Sequence, residues 1–245
     1  MKIALVGYGK MGRAVERIAL DRGHEIVCRV DAGEDALIDS PEFRSADVII
    51  EFTTPATAVD NYRRCLATGI PLVSGTTGWL ARRQEVEKMV DESSAGFFWT
   101  SNFSIGVALF QKLAVEATRL MDGYPEYTPE MKEIHHIHKL DHPSGTAVST
   151  AEAMIGASGR LDAWTENPDE ADGDASRLLI RHEREGEVPG THIVSWTSAV
   201  DRITLEHRAF SREGFAFGAV RAAEWMAVYR PRGFRSMPDL LGFSL

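Results

Sequence analysis

A glycine-rich turn stands between a short apolar strand and an amphipathic helix at the start of the chain. Lys2–Val6 has the composition of a buried strand, and Met11–Arg22 places its apolar side chains on one helical face. The turn fits the pattern G-x-G-x-x-G and consists of Gly7, Tyr8, Gly9, Lys10, Met11 and Gly12. Such glycines allow a tight turn, close approach of the backbone to a pyrophosphate, and close helix–strand packing. We therefore predict a parallel α/β domain whose first helix receives the phosphates of a dinucleotide at its positive N-terminus.

An acidic residue follows at the place where such a domain binds the adenosine ribose. Asp31 lies 19 residues after Gly12, at the end of a second predicted strand, Glu25–Val30. The strand, the helix and the acid together disfavour the alternative that the glycines only mark a turn. Asp31 would repel a 2′-phosphate, although Lys10 and Arg29 could offset that repulsion. We predict a preference for NADH, with NADPH tolerated.

The rest of the first hundred residues alternates between strand-like and helix-like segments. Parallel sheets built in this way bind ligands at the carboxyl ends of their strands. Small, polar or aromatic side chains follow those ends and are predicted to line the cofactor cleft: Phe52, Thr53, Gly75, Thr76, Thr77, Asn102 and Phe103.

The pattern changes after Asn102. A long helix is predicted over Ile105–Met121, followed by strand-like segments at Pro129–His138, Ser176–His182, His192–Thr197 and Ile203–Arg208. Strands without intervening helices indicate an antiparallel sheet. One helix, about Ser144–Ser158, interrupts them. The acidic stretch Asp162–Ser176 is predicted to be a surface loop.

Two domains follow from this change of pattern. Residues 1–103 form a Rossmann-like dinucleotide-binding domain with a parallel sheet. Residues 104–213 form a second, α+β domain for substrate binding and oligomerisation. A last predicted helix, Gly214–Tyr229, packs back on the first domain, so that 214–245 complete it.

Charge and cysteine content exclude several classes of protein. The formal net charge is −9, and an acidic surface disfavours binding to nucleic acid or to anionic membranes. No apolar run approaches the length of a membrane span. The two cysteines, Cys28 and Cys65, lie in apolar segments and cannot form a disulfide framework. A small-molecule ligand and a cytoplasmic location are expected.

Titratable side chains are concentrated in one segment of the second domain. Three histidines precede Lys139, and Ser144, Gly145 and Thr146 open a predicted helix. The hydroxyls and N–H groups of such a helix start can receive a carboxylate, and Lys139 would add a positive charge. Histidine is the usual proton donor near neutral pH. A metal site and functionless surface histidines remain alternatives, but the segment has no H-E-x-x-H pattern and no cysteine ligands.

The residue types and spacing of this segment resemble the signature of the dihydrodipicolinate reductase family. The matching residues are Glu133, Ile134, His135, His136, Lys139, Asp141, Pro143, Ser144, Gly145, Thr146 and Ala147. Supporting matches span nearly the whole chain, at Gly7–Gly12, Glu51–Thr53, Gly75–Gly78, Asn102–Gly106, Gly190–His192 and Arg212–Ala223.

The resemblance implies a fold, a reaction and residue roles. The fold is an N-terminal Rossmann-like domain with a C-terminal α/β domain that binds a dicarboxylate substrate and builds a homotetramer. The reaction is NAD(P)H-dependent reduction of dehydrated 4-hydroxy-tetrahydrodipicolinate to tetrahydrodipicolinate, on the route to diaminopimelate and lysine. By the same resemblance His135 is the proton donor and Lys139 the second catalytic residue. The carboxylates are held by His136, Lys139, Ser144, Gly145 and Thr146, while Gly75, Thr77 and Phe103 line the nicotinamide.

The chain departs from the family pattern in a few places. His142 stands where the family usually has alanine. The glycine turn is one residue shorter than in the commonest form of the family, and Lys10 stands where an arginine is usual. Two other functions share the first domain. One is an aspartate- or diaminopimelate-type dehydrogenase, and the other is a non-catalytic NAD(H)-sensing regulator. Neither requires a proton donor, a lysine and a carboxylate site in one segment.

Overall fold

The computed structural model describes residues 1–172, 174–211 and 213–243. The chain divides into two compact units. One contains Met1–Ile105 together with the segment that begins at Glu213, and the other begins at Gly106 and occupies the residues between them. Each unit contains one β-sheet.

The first unit begins with five strands that alternate with helices. Its elements in chain order are β1 (Lys2–Val6), α1 (Lys10–Asp21), β2 (Glu25–Val30), a 3-10 turn (Asp35–Asp39), α2 (Pro41–Arg44), β3 (Val48–Glu51), α3 (Pro55–Leu66), β4 (Leu72–Ser74), a second 3-10 turn (Leu80–Arg82), α4 (Arg83–Glu92) and β5 (Gly96–Trp99). All pairs among these strands are parallel, which confirms the predicted parallel sheet. Because helices cover both faces of such a sheet, its inner strands are buried throughout, as β3 is.

The second unit contains α5 (Ile105–Met121), β6 (Thr128–His135), α6 (Gly145–Ala157), β7 (Ala163–Thr165), α7 (Pro168–Asp172), β8 (Arg177–Arg184), β9 (Thr191–Thr197) and β10 (Arg202–Arg208). Its strand order is β10-β9-β6-β8-β7. The sheet is mixed, so the predicted antiparallel arrangement is correct for only part of it. β6 is antiparallel to β9 but parallel to β8, and β7 is parallel to β8. The connection from β6 to β8 contains α6, which returns the chain to the same end of the sheet.

Two further differences concern the limits of elements. Asp162–Ser176 is not only a surface loop, because it contains β7 and α7. Thr165 at the end of β7 pairs with Leu179 of β8, and that pairing is a tertiary contact that local composition does not reveal. Strand β6 ends at His135, three residues before the predicted end, because the chain then turns and Lys139 N–H donates to the carbonyl of His136.

One face of the second sheet changes from apolar to polar along its strands. Met131 of β6, Ile180 of β8 and Val194 of β9 lie side by side and are fully buried in a core with α5 and α6. Two residues further along β6, Glu133 pairs with His182 of β8 and with His192 of β9. Because side chains alternate along strands, this polar row lies on the same face as the apolar one. The candidate catalytic side chains therefore stand directly beside the core.

The chain then returns to the first unit as α8 (Glu213–Tyr229), β11 (Gly233–Arg235) and α9 (Met237–Leu241). Helix α8 packs against α1, β3 and β4 through a buried face of small residues that includes Ala216, Ala219 and Ala223. β11 extends the first sheet beside β5, giving the order β11-β5-β4-β3-β1-β2. Arg212, part of the predicted family match, lies outside the described residues. None of the helices in the described part of the chain has the length and apolarity that a bilayer crossing requires.

Candidate active site

The glycine turn of the first unit is held by close backbone contacts. Gly7 has a φ of 91°, and a Cβ on it would lie 2.0 Å from the carbonyl oxygen of Phe52. A Cβ on Gly12 would lie 2.2 Å from the carbonyl oxygen of Gly7. Gly9 differs, since a Cβ there would meet no heavy atom within 4 Å. Gly7 and Gly12 are thus required by packing, while Gly9 leaves open space at the N-terminus of α1, where Lys10 and Met11 form the first turn.

A cleft of about 480 Å³ opens at the carboxyl ends of the strands in this unit. Its lining includes Gly7, Gly9, Asp31, Phe52 and Thr53, all of them predicted cofactor residues. The open position at Gly9, a helix start at which no described side chain caps α1, and an acid at the end of β2 fit the phosphates and ribose of a dinucleotide.

Asp31 is exposed at the end of β2, and its carboxylate accepts a hydrogen bond from the N–H of Ala32. The side chain of the neighbouring Arg29 contacts α1 and the glycine turn instead. Its guanidinium forms an ion pair with Glu16, and Tyr8 also donates to that carboxylate. The hydrogen bond from Arg29 holds the pKa of Glu16 below its usual value. The positive charge of Arg29 is thus already neutralised by a residue of α1.

A buried carboxylate to which the sequence assigned no role joins the strand ends. Glu51 is fully buried and accepts hydrogen bonds from Ser74 Oγ at 2.6 Å, Thr76 Oγ1 at 2.8 Å and the N–H of Thr53 at 3.0 Å. Burial raises its pKa despite these bonds. Glu51 therefore joins the ends of β3 and β4. Thr76, predicted to line the cofactor, is buried and uses its hydroxyl in this network.

The aromatic residues of the cleft pack on glycines. A Cβ on Gly75 would lie 2.0 Å from the ring of Phe52, so the ring occupies the space of the missing side chain. Phe52 and Phe103 lie with ring centroids 5.8 Å apart. A Cβ on Gly218 of α8 would lie 1.7 Å from the carbonyl oxygen of Phe103, so this helix also fixes that residue. Asn102 accepts a hydrogen bond from the N–H of Ser104, while Thr77 is exposed.

In the second unit, Glu133 is the centre of a buried cluster. Its side chain is fully buried, and Oε2 accepts the N–H of Ser144 at 3.1 Å. Oε1 accepts two N–H groups of the Arg184 guanidinium at 3.3 Å each. Oε2 also lies 3.4 Å from His135 Nδ1 and 3.9 Å from His192 Nε2. One carboxylate thus connects the start of α6, strand β8 and two histidines.

His135 and His192 meet edge to face, with ring centroids 5.1 Å apart. Burial lowers the pKa of His135, and the negative charge of Glu133 opposes that effect. Burial, with the positive charges of its neighbours, lowers the pKa of His192 to about 3, so His192 is neutral near pH 7. A Cβ on Gly190 would lie 3.1 Å from Nε2 of His135. Glycine at that position therefore leaves space beside the Nε2 atom.

Lys139 lies in the turn after β6, and its Nζ donates to Asp141 at 2.6 Å. This hydrogen bond lowers the pKa of Asp141. The turn is held by Arg184, which donates to the carbonyls of Lys139 at 3.2 Å and Asp141 at 2.7 Å. The positive charge of Lys139 is close enough to His135 to lower its pKa.

The predicted carboxylate site forms the start of α6. Ser144 is the N-cap, and its Oγ accepts the N–H of Ala147 at 3.2 Å. The same oxygen lies 3.3 Å from His192 Nε2. Helix α6 begins at Gly145, so Gly145 and Thr146 lie in its first turn with N–H groups at the positive end of the helix.

The structure thus brings the predicted residues into two groups, one in each unit. Three further side chains belong to these groups: Glu51 and His192, which the sequence named only as parts of the family match without a role, and Arg184, which it did not name. The positions of His192 and Arg184 depend on strand pairing. The register of β9 on β6 places His192 beside Glu133, and the register of β8 on β6 places Arg184 beside His135.

Known proteins show the same two halves. Residues 1–103 match the family model described as "Dihydrodipicolinate reductase, N-terminus", and residues 106–241 match the one described as "Dihydrodipicolinate reductase, C-terminus". A 4-hydroxy-tetrahydrodipicolinate reductase from Christiangramia forsetii is 40% identical over 241 residues, which is 98% of each chain. One from Archaeoglobus fulgidus is 34% identical and covers 98% of this chain and 100% of its own.

A solved structure agrees at the level of the fold. The dipicolinate-bound dihydrodipicolinate reductase from Paenisporosarcina sp. TG-14 matches with a TM-score of 0.76 at 22% identity, covering 96% of this chain and 97% of the other. The matches in sequence cover both units and include the segment around Glu133. The chain belongs to the dihydrodipicolinate reductase family.

Proposed function

We propose that the chain reduces dehydrated 4-hydroxy-tetrahydrodipicolinate to tetrahydrodipicolinate with a nicotinamide dinucleotide, in diaminopimelate and lysine biosynthesis. The family and the names of its relatives support this reaction. The observation that carries the proposal is the buried cluster of Glu133, His135 and His192 beside the N-terminus of α6. It combines a proton donor with a site for carboxylates. The aspartate- or diaminopimelate-type dehydrogenase and the NAD(H) sensor are not favoured.

The first unit would hold the cofactor. Gly7, Gly9, Lys10, Met11 and Gly12 would surround the pyrophosphate at the N-terminus of α1, and Asp31 would bind the adenosine ribose. The nicotinamide end would meet residues at the ends of β3, β4 and β5, namely Phe52, Thr53, Gly75, Thr76, Thr77, Asn102 and Phe103. When bound, the reduced nicotinamide supplies the hydride that adds to the unsaturated substrate.

NADH is the proposed preferred cofactor, with NADPH tolerated. Asp31 is exposed in the cleft, and the ion pair between Arg29 and Glu16 leaves Arg29 poorly placed to neutralise a 2′-phosphate. Lys10 remains as the cation that would make NADPH acceptable. An NADPH advantage in kcat/KM of about tenfold or more would contradict the proposal.

The second unit would bind the substrate and deliver the proton. Lys139, His136, Ser144, Gly145 and Thr146 would hold its carboxylates, through positive charge and through N–H groups at the start of α6. His135 would donate the proton from Nε2, where Gly190 leaves space. Its Nδ1 lies toward Glu133, whose negative charge favours the protonated ring. Lys139 would also stabilise negative charge on the substrate near the reacting bond.

A steady-state assay with both cofactors, and with the substrate generated in situ, tests this function. We expect oxidation of the cofactor that depends on the substrate. His135→Ala and Lys139→Ala should each lower kcat by about 10²-fold or more with little change in cofactor affinity. The matched control is His138→Ala, since His138 is exposed and forms an ion pair with Glu187. A variant at position 135 or 139 that keeps more than about a third of wild-type kcat would disprove that residue's role.

We also propose a homotetramer located in the cytoplasm. Strand β10 is an edge of the second sheet, and Ile203, Val200 and Phe210 in and around it are exposed. Exposed apolar side chains on an edge strand are suited to pairing with another copy. Both cysteines are buried and free, as a reducing compartment allows. Light scattering of the purified protein would give the mass of the assembly, and a monomer mass would contradict the proposal.

A further inference from the structure

Two histidines and a glutamate from separate segments meet on the surface of the second unit. His142 lies in the connection after β6, Glu166 follows β7, and His182 is on β8. The Nδ1 atoms of both histidines lie 3.0 Å from the same carboxylate oxygen, Oε1 of Glu166. The two rings are stacked, with centroids 4.3 Å apart and planes inclined by 18°. All three potential ligand atoms lie within 4.8 Å of one another.

We propose that His142, Glu166 and His182 form a binding site for a divalent transition-metal ion of the Zn²⁺ type. Two imidazole nitrogens and one carboxylate oxygen are a common ligand set for Zn²⁺, which accepts water in a fourth position. Imidazole is a poor ligand for Mg²⁺ and Ca²⁺, so the site selects against these ions. The site does not depend on the proposed reductase activity.

The distances suit tetrahedral coordination. Ligand bonds to Zn²⁺ of about 2.0–2.1 Å at tetrahedral angles place neighbouring ligand atoms about 3.3 Å apart. The observed separations between nitrogen and oxygen are 3.0 Å. A shift of about 0.3 Å would therefore replace the hydrogen bond of His142 and the ion pair of His182 with Glu166 by three bonds to the ion. The side chains are 52%, 30% and 35% exposed for His142, Glu166 and His182, which gives an ion access and leaves room for water.

Charge distinguishes this site from the buried cluster on the next strand. Glu133, His135 and His192 also place three ligand atoms together. However, Glu133 already accepts the Arg184 guanidinium at 3.3 Å, and a divalent ion there would be repelled by that positive charge. Among the residues that the structure describes, the ion pairs of Glu166 are only those with His142 and His182. The partly exposed carboxylate of Glu166 is therefore available to a cation, whereas the buried carboxylate of Glu133 is neutralised.

Such an ion would fasten three parts of the unit together. It would link the connection that carries His142, two residues before the N-cap of α6, to the ends of β7 and β8. A ligand that binds only the folded state raises thermal stability in proportion to the logarithm of its concentration over Kd. At a hundredfold excess over Kd we expect a rise in Tm of about 5–10 °C for a chain of this size.

The test is a titration of the chelator-treated full-length protein with Zn²⁺, followed by calorimetry and by thermal unfolding. We expect one equivalent to bind and Tm to rise, with no response to Mg²⁺. His142→Ala and His182→Ala should each weaken Zn²⁺ binding by at least about tenfold, since loss even of a residue that only supports a ligand costs ~10–100-fold. Glu166→Gln, which keeps a hydrogen-bond acceptor but removes the charge, should weaken it similarly.

His138→Ala is the matched control, because His138 is an exposed histidine that pairs with Glu187 outside the site. It should bind Zn²⁺ as the wild type does. Three results would each overturn the proposal. The first is no binding of Zn²⁺ by the wild type. The second is unchanged binding in both the His142 and His182 variants. The third is an equal loss in the His138 variant, which would indicate unspecific binding to surface histidines.

Discussion

Gly12 and Gly9 of the glycine turn should show separate roles, in packing and in cofactor binding, when each is changed to alanine. For Gly12, the added Cβ would lie 2.2 Å from the carbonyl oxygen of Gly7, so α1 must move away by about 1 Å. Forcing a methyl group into a packed site typically costs about 1–3 kcal/mol, and we expect about 3 kcal/mol here because backbone cannot yield as a flexible side chain does. Gly12 lies within α1, and alanine regains about 1 kcal/mol as the better helix former. We expect Gly12→Ala to lower the free energy of unfolding by about 2 kcal/mol, or Tm by about 4–8 °C.

Gly9→Ala is the matched control in the same turn. Its Cβ would meet nothing within 4 Å, and the φ of −78° is allowed for alanine. A small loss from a poorer N-cap and a small gain in chain entropy should leave stability within about 0.5 kcal/mol of wild type. The same variant should weaken NADH binding by at least about tenfold, because the methyl group fills the space that the pyrophosphate needs.

Thermal unfolding and fluorescence titration with NADH measure the two effects separately. Two results would refute the division of roles. One is a Tm for Gly12→Ala within about 1 °C of wild type, which is below the expected loss. The other is wild-type affinity for NADH in Gly9→Ala.

Three further predictions concern charge. Glu133→Gln should move the loss of kcat with rising pH to lower pH. A proton donor must be protonated to act, and burial already lowers the pKa of His135. The variant lacks the carboxylate charge of Glu133 that opposes this lowering, so the pKa of His135 should fall further. Identical pH–rate profiles of the variant and the wild type would contradict the prediction. His192 has a pKa of about 3 in the folded chain and about 6.5 when unfolded, so the unfolded state binds the extra proton first as pH falls. The free energy of unfolding should therefore decrease by up to about 1.4 kcal/mol per pH unit from about pH 6.5 down to about pH 3, and His192→Gln should flatten that slope in urea titrations. Asp31→Ser should raise the ratio of kcat/KM for NADPH over NADH by roughly tenfold, since it removes a charge that repels the 2′-phosphate. Arg29→Ala, which removes a cation already paired with Glu16, should leave the ratio within about threefold, and equal ratios in the two variants would contradict the assignment.

The contacts of Glu133 explain why the Glu133→Gln variant needs both a pH–rate profile and a measurement of Tm. Its carboxylate holds Ser144 and Arg184 as well as facing His135, so its loss affects both the proposed substrate site and the fold. Removal of one partner of a buried ion pair leaves the other charge uncompensated. A changed pH–rate profile with an unchanged Tm would therefore show the electrostatic effect on His135 alone.

Local sequence determined the elements whose signals lie within a few residues. Helix α5 has the predicted limits, because its apolar period and its flanking residues lie in one short segment. The glycine turn at residues 7–12 was equally predictable, since the strand, the glycines and the helix follow one another directly in the sequence. The N-cap at Ser144 also came from local sequence, as its side chain needs only the N–H three residues later.

Tertiary structure alone decided the partners of the site. Strand β8 lies parallel to β6 and places Arg184 beside His135, while β9 lies antiparallel and places His192 beside Glu133. Such pairings join residues about 50 positions apart, and no local propensity encodes them. Because strand β7 and the cluster of His142, Glu166 and His182 also depend on contacts between distant residues, the local sequence revealed neither of them.

By itself, then, the sequence determined a dinucleotide-binding α/β unit, a second unit with its own sheet, and a segment rich in histidines. Those properties rest on composition and short-range periodicity. The structure decided that the segment ends its strand at His135, that Glu133 is buried beneath it, and that Arg184 neutralises that carboxylate. These depend on which strands become neighbours, because burial and charge pairing are set by contacts across the sheet rather than along the chain.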